Sequence, residues 1–137
     1  MKYWLLKQEP EEYSWAMFVR DDGTAWTGVR NPQACNYLRA MRRGDRALFY
    51  QSGADKMIVG IAKVTGAAYP DPTSVEGNWW SVDLAPVRSF ERPVTLGKIK
   101  GDPLLQEMPL IKQTRLSVMP LTLTEYHHIA SLGETRP

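Results

Sequence analysis

The sequence predicts an α+β domain built on a mixed, strongly curved sheet. Roughly five strand-like and four short helical segments follow one another in irregular order, without repeats, low-complexity tracts or linkers. The chain has 137 residues, one ordinary domain over 1–137 with a single core. With 43% hydrophobic and 23% charged residues, the balance is that of a globular protein, which excludes disordered and collagen-like chains.

Residues 2–6 read as a short buried strand stopped by Pro10. Ser14 is placed to cap a helix through Arg20 that ends at Asp21-Asp22-Gly23. β-formers follow from Thr24, and Asn31-Pro32 suits a helix entry: asparagine caps and proline fits the first turn. Ala34, Leu38 and Met41 then fall at helical spacing, predicting a helix over 33–43 with Gly44 as its stop. In that reading, Arg39, Arg42 and Arg43 have an electrostatic reason to sit at a helix C-terminus.

Residues 47–50 and 57–64 predict a hairpin across Ser52-Gly53-Ala54-Asp55. In 78–87, Trp80, Val82, Leu84 and Pro86 share a face by period two, with Pro86 marking an edge or a bulge. After Arg92-Pro93, Thr95 caps a short helix through Lys100. Residues 116–120 form a β segment, Thr122 or Thr124 opens a terminal helix closed by Gly133, and 134–137 form a frayed tail.

Several function classes are poorly provided for. The apolar runs are far short of the roughly 20 residues of a membrane span, and Met1-Lys2 leads straight into Tyr3-Trp4 rather than into a leader, predicting a cytoplasmic protein. One cysteine and two adjacent histidines supply no metal cluster, so neither a metal nor another cofactor is expected. Gly-x-Ser-x-Gly, His-Glu-x-x-His and phosphate-loop signatures are absent, and Cys35 reads as a small buried thiol, so the chain is expected not to be an enzyme.

Seventeen basic against fifteen acidic side chains leave +2, so any contact with a polyanion must be local. Five tryptophans and six tyrosines exceed what a core this small demands. Four segments at strand ends, 7–10, 26–31, 49–52 and 114–118, supply Arg, Asn, Ser or Gln, and two of them, 26–31 and 49–52, add aromatic rings. These can give a flat heterocycle a stacking face and fixed edge contacts. The competing structural roles are a Trp26 that packs in the core and an Arg30 that ties loops to Glu9.

Tyr-Trp-Leu-Leu-Lys-x-Glu-Pro at 3–10, Trp-x-Gly-Val-Arg-Asn-x-Gln-Ala at 26–34, Met-x-x-Gly-Asp-x-x-x-Phe-Tyr-x-Ser at 41–52, Tyr-Pro-Asp-Pro-Thr at 69–73 and Arg-Leu-Ser-Val-x-Pro at 115–120 resemble the EVE domain family. The motifs run in order along nearly the whole chain. This resemblance implies a PUA-like fold, a small curved mixed β-barrel with flanking short helices, related to YTH and ASCH domains. It further implies a non-enzymatic reader of DNA or RNA that holds a modified base in an aromatic pocket. Carried onto this chain, the pocket residues are Trp26, Arg30, Asn31, Tyr50, Ser52, Arg115, Leu116 and Ser117. Arg39, Arg42, Arg43, Arg46 and Lys56 are the expected contacts to the nucleic-acid backbone.

Three positions depart from the family pattern. Gln8 stands where a small hydroxyl is common, Gln51 where a histidine is, and Cys35 where an arginine is. Burying one methyl contributes only ~0.8 kcal/mol and stacking ~1–3 kcal/mol for any base, so discrimination must come from edge hydrogen bonds. The alternatives to such a reader are a small nucleotide-acting hydrolase or nuclease and a sensor of a free nucleoside or other planar ligand.

Overall fold

The computed structural model describes residues 1–137. Its strands are β1 (Tyr3–Gln8), β2 (Thr24–Trp26), β3 (Arg46–Gln51), β4 (Met57–Val64), β5 (Tyr69–Pro70), β6 (Trp80–Thr95) and β7 (Val118–Leu121). The helices are α1 (Trp15–Asp21), α2 (Pro32–Ala40), α3 (Leu96–Lys100), α4 (Pro109–Lys112) and α5 (Leu123–Leu132), with a 3-10 turn at Pro103–Leu105. The sheet runs β2-β6-β4-β3-β1-β7, with β5 paired to β6. It curls into a half-barrel that stays open between β2 and β7. The predicted α+β class with a curved mixed sheet is what the chain forms.

Every pair is antiparallel except β1 with β3, whose register sets Leu6 opposite Phe49 and Gln8 opposite Gln51. The concave face and α1 enclose an aromatic cluster. Phe18 stacks on Phe49, while Trp15 and Trp26 meet Phe49 edge-on at 5.3 and 5.7 Å between centroids. Tyr126 on α5 is buried in the same continuous core.

Four predicted caps form as expected. The side chains of Ser14, Asn31, Thr95 and Thr122 accept N–H groups of Met17, Ala34, Lys98 and Glu125. Thr122, rather than Thr124, opens α5, because Glu125 reaches back to the Thr122 N–H and completes a capping box.

The expected helix over 33–43 ends three residues early, at Ala40. Buried Asp45 is the reason: its carboxylate accepts the N–H groups of Lys2 and Arg42 and the Trp4 indole N–H, each at 3.0 Å. Gly44, at φ +94°, donates to Val64 O. The chain is thereby clamped into a turn, and Arg42 and Arg43 lie outside α2. The helix-terminus explanation holds for Arg39 alone.

β6 is longer than the predicted 78–87 segment. Pro93 does not stop it, because five steps of β6, from Ser89 to Val94, are matched by only two steps of β4. Proline is tolerated there because the ladder is already interrupted. Pro86 also lies at a register shift, as expected. In the tail, Glu134 pairs with Arg92 and Thr135 N–H donates to Ala130 O.

Gly60 on β4 leaves room for Trp15. A Cβ there would fall 2.3 Å from the indole. Gly60→Ala is therefore expected to destabilise the fold by roughly 1–3 kcal/mol through overpacking, read as a lower urea midpoint with an unchanged slope.

Candidate nucleic-acid interface

The C-terminal ends of β1 and β3 lie side by side, and their backbone is fully engaged there. Lys7 N–H donates to Ser117 O and Ser52 N–H to Gln8 O, both at 2.9 Å. Ser52 and Ser117, both half-buried, are thus brought to the same end of the sheet. Lys7 and Gln8 point to opposite sides of β1, as successive strand residues must.

On one side, Gln8, Tyr13, Thr24, Trp26 and Thr27 line a cavity of about 190 Å³. This is small beside the roughly 300–1,000 Å³ pockets of drug-sized ligands, and it suits a single heterocycle. Trp26 is 4% exposed and braced edge-on by Phe49, so it forms a rigid wall. It serves the core and lines the cavity at once.

On the other side, Asn31, Gln33, Thr114, Arg115 and Leu116 line a more open cavity of about 330 Å³. The Lys7 ammonium donates to Thr114 O at 3.0 Å and lies 5.8 Å from the Tyr50 ring centroid. Burial lowers the Lys7 pKa and raises that of Tyr50. Leu116 is buried and forms a floor, while Arg115 reaches solvent. Lys112 is paired with Glu107, which leaves Arg115 to present positive charge to a ligand here.

The aromatic residues Trp26 and Tyr50 are therefore not two faces of one slot. Trp26 packs on Phe49, and Tyr50, the next residue of β3, faces the Lys7 side. Lys7 was legible as part of the 7–10 segment, but its bridging position follows only from the register.

Arg30 does not tie to Glu9. Its guanidinium donates to Asp71 at 3.0 Å, to Val29 O at 3.1 Å and to the Thr73 hydroxyl at 3.3 Å. The Asp71 side chain is fully enclosed and also accepts Gly28 N–H, Thr73 N–H and the Thr73 hydroxyl. Burial opposes its ionisation, but the hydrogen bonds from Thr73, Gly28 and Arg30 outweigh it and hold the carboxyl well below the usual carboxylate range. Gly28 reaches this acceptor at φ +83°. Arg30 is thus a positioning residue that locks the 27–31 loop to the 69–73 loop. Asp71 was missed as a site residue, although the Tyr-Pro-Asp-Pro-Thr motif contains it.

The expected backbone contacts divide between two ends of the sheet. Lys56 lies in the hairpin beside Ser52, whereas Arg46 opens β3 at the opposite end, with Arg42 and Arg43 in the turn before it. A six-residue strand separates those ends by about 17–20 Å. Arg39, on the last turn of α2, lines one cavity with Arg42 and lies 4.6 Å from the Trp80 ring centroid. The residues present hold no group of three or more His, Cys, Asp or Glu that could bind a metal ion, and no helix is long and apolar enough to cross a membrane.

A family model described as EVE domain matches residues 2–132. This chain belongs to the EVE domain family. Thymocyte nuclear protein 1 of Rattus norvegicus is 37% identical over 98% of this chain and 75% of its own length. The crystal structure of a protein from Agrobacterium tumefaciens, 40% identical, superposes with a TM-score of 0.96 over 98% of this chain and 94% of that one. The human THYN1 protein in complex with 5-methylcytosine-containing DNA is 36% identical and covers 100% of both chains with a TM-score of 0.82. An ASCH protein from Zymomonas mobilis, 14% identical with a TM-score of 0.60 over 96% of this chain and 99% of that one, shares the fold. The PUA-like architecture of this EVE domain is thus found beyond its family.

Asp71→Asn is expected to remove roughly 2–3 kcal/mol at pH 7, the scale of hydrogen bonds to a charged group. Because folding lowers the Asp71 pKa, its contribution is complete above the unfolded value of about 3.9 and is lost as pH falls below it. Thermal melts from pH 7 to pH 2.5 should show the gap between wild type and variant narrowing below about pH 4.

Proposed function

We propose that this EVE-domain protein binds nucleic acid without transforming it, reading a modified base in the Trp26–Gln8 cavity. The observation that carries this reading is the likeness, over the full length of both chains, to the human THYN1 protein in complex with 5-methylcytosine-containing DNA. The site chemistry supports it. Trp26 offers a fixed wall for a ring, and Gln8, Thr24 and Thr27 bring hydrogen-bonding groups to the edge of a cavity sized for one heterocycle. Asn31, Arg115 and Leu116 border the neighbouring cavity, where Arg115 meets a phosphate.

Tyr50, Ser52 and Ser117 support the strand ends between the cavities, and Lys56 is the nearest hairpin cation. Extruding a base costs a few kcal/mol, which phosphate contacts from Arg115 and Arg39 offset. Selectivity depends on the groups at the base edge, since a mismatched base leaves a buried polar atom unpaired at ~1–3 kcal/mol. The Gln8 amide, half-buried, faces this choice directly.

Fluorescence anisotropy with labelled oligonucleotides carrying 5-methylcytosine or unmodified cytosine, in DNA and RNA, tests the reading. Gln8→Leu is expected to weaken binding of the preferred base about tenfold while the fold persists, the scale of one lost edge contact. Arg115→Gln should weaken all oligonucleotides alike and reduce the salt slope by about one. Failure of every oligonucleotide to bind at low salt would overturn the reading, and turnover of a bound oligonucleotide would overturn its non-catalytic part. Displacement by free nucleosides at equal concentration would favour the small-ligand sensor instead.

A further inference from the structure

α2 connects the proposed base site to the distant arginines, and one of its faces is bordered by aromatic rings. Between α2 and the start of β6 lies a cavity of about 300 Å³, lined by Pro32, Asn36 and Arg39 from the helix, by Asn78 and Trp79 just before the strand and by Trp80 at its start. A second cavity of about 350 Å³ shares Arg39 and Trp80 and continues through Ala67 and Ala68 to Arg42. The lining contains two arginines and no carboxylate.

The strip is held in shape by contacts that precede any ligand. Trp80 N–H donates to the buried Cys35 thiol at 3.4 Å, fixing the strand start to the helix. The Trp80 indole N–H donates to Asn78 at 3.1 Å. Arg30, already anchored on Asp71, lies 5.5 Å from the Trp79 ring centroid. Gly77, at φ +92°, has no Cβ where one would fall 2.6 Å from the Trp79 indole nitrogen.

We infer that this strip is a track for an unpaired strand of nucleic acid, seating one base against Trp79 between Asn36 and Asn78 and its phosphates on Arg39 and Arg42. The inference rests on the reading above and extends it to the flank of the recognised base. A concave, ring-walled cavity with two side-chain amides fits an unstacked base, whereas a duplex presents phosphates and closed base pairs to such a surface. Rings for stacking and guanidinium groups for phosphates are the recurring parts of single-strand sites.

Dimensions agree with a continuous path. Thr27 of the base site and Pro32 of the strip are five residues apart, at most about 18 Å of chain. Nine-residue α2 carries the track a further 13 Å or so toward Arg42.

The test compares a blunt duplex carrying one central 5-methylcytosine with the same duplex bearing a six-nucleotide thymidine overhang at the 5′ or 3′ side. Anisotropy is read for wild type, Trp79→Ala and Trp79→Phe, each checked by circular dichroism for an unchanged melt. One overhang polarity is expected to bind about tenfold tighter than the blunt duplex, within the range of one base stacked on an aromatic ring, and to quench tryptophan fluorescence. Trp79→Ala should abolish that gain and leave blunt-duplex affinity unchanged, while Trp79→Phe restores most of it.

Blunt binding with no gain from either overhang overturns the track and leaves the base-site reading standing. A gain that survives Trp79→Ala overturns the assignment to this strip. Displacement of the overhang by polyglutamate as effectively as by oligothymidine overturns nucleic acid as its occupant. If no probe binds wild type, the base-site reading and the track fall together.

Discussion

Two parallel neighbours in a sheet cannot be joined by a tight turn, and the pairing of Tyr3–Gln8 with Arg46–Gln51 therefore dictates much of this molecule. The connection must cross over, and here it holds α1, β2 and α2. That crossover delivers Trp26, Arg30 and Asn31 to the end of the sheet where β1 and β3 both finish. The crevice at the carboxyl ends of parallel strands is a recurrent ligand position in α/β sheets, and the same geometric reason operates in this half-barrel. Antiparallel β7 then brings Ser117 and the 112–116 loop alongside.

The loops gathered there would be free to separate without Asp71. Its enclosed carboxylate receives donors from Gly28, Arg30 and Thr73, so one acceptor fixes two segments more than forty residues apart. Taking a carboxylate out of water is costly, and such clusters contribute geometry more than net stability. This changes the meaning of Arg30. A guanidinium with three of its five N–H groups committed to Asp71, a carbonyl and a hydroxyl keeps two for other partners, and its Cζ lies 5.5 Å from the Trp79 ring centroid.

The parts legible in the sequence are those whose interactions close within a few residues. The caps at Ser14, Asn31, Thr95 and Thr122 each bond a residue three positions on, so local spacing alone located four helix starts. The motifs at 3–10, 26–34, 41–52 and 115–120 likewise include segments that the fold brings to one end of the sheet. Long-range terms decided the rest. Asp45 shortened α2 by taking donors from Lys2 and Trp4, more than forty positions away, and the unequal β4–β6 register hid Pro93 inside a strand. The separation of Trp26 from Tyr50 follows from β3, where Phe49, which Trp26 packs on, and Tyr50 are successive residues on opposite sides. The motif names both residues but cannot show that one wall belongs to the barrel interior and the other to Lys7.

The departures from the family pattern can also be ranked by what their atoms are already doing. Gln51 uses both ends of its amide: the oxygen accepts Trp15 N–H at 2.8 Å and the nitrogen donates to Asp55 at 3.0 Å. It holds the start of α1 and the hairpin, tasks that require an acceptor and a donor together at every pH. A histidine can fill both roles only as the neutral ring, so the amide removes a titration from the scaffold. Gln8 differs: its oxygen meets only the neighbouring Glu9 N–H at 3.2 Å, and its side chain lines the small cavity beside Trp26. Of the two glutamines, the one at position 51 therefore maintains the shape of the site, and the one at position 8 is the group a bound base edge would meet.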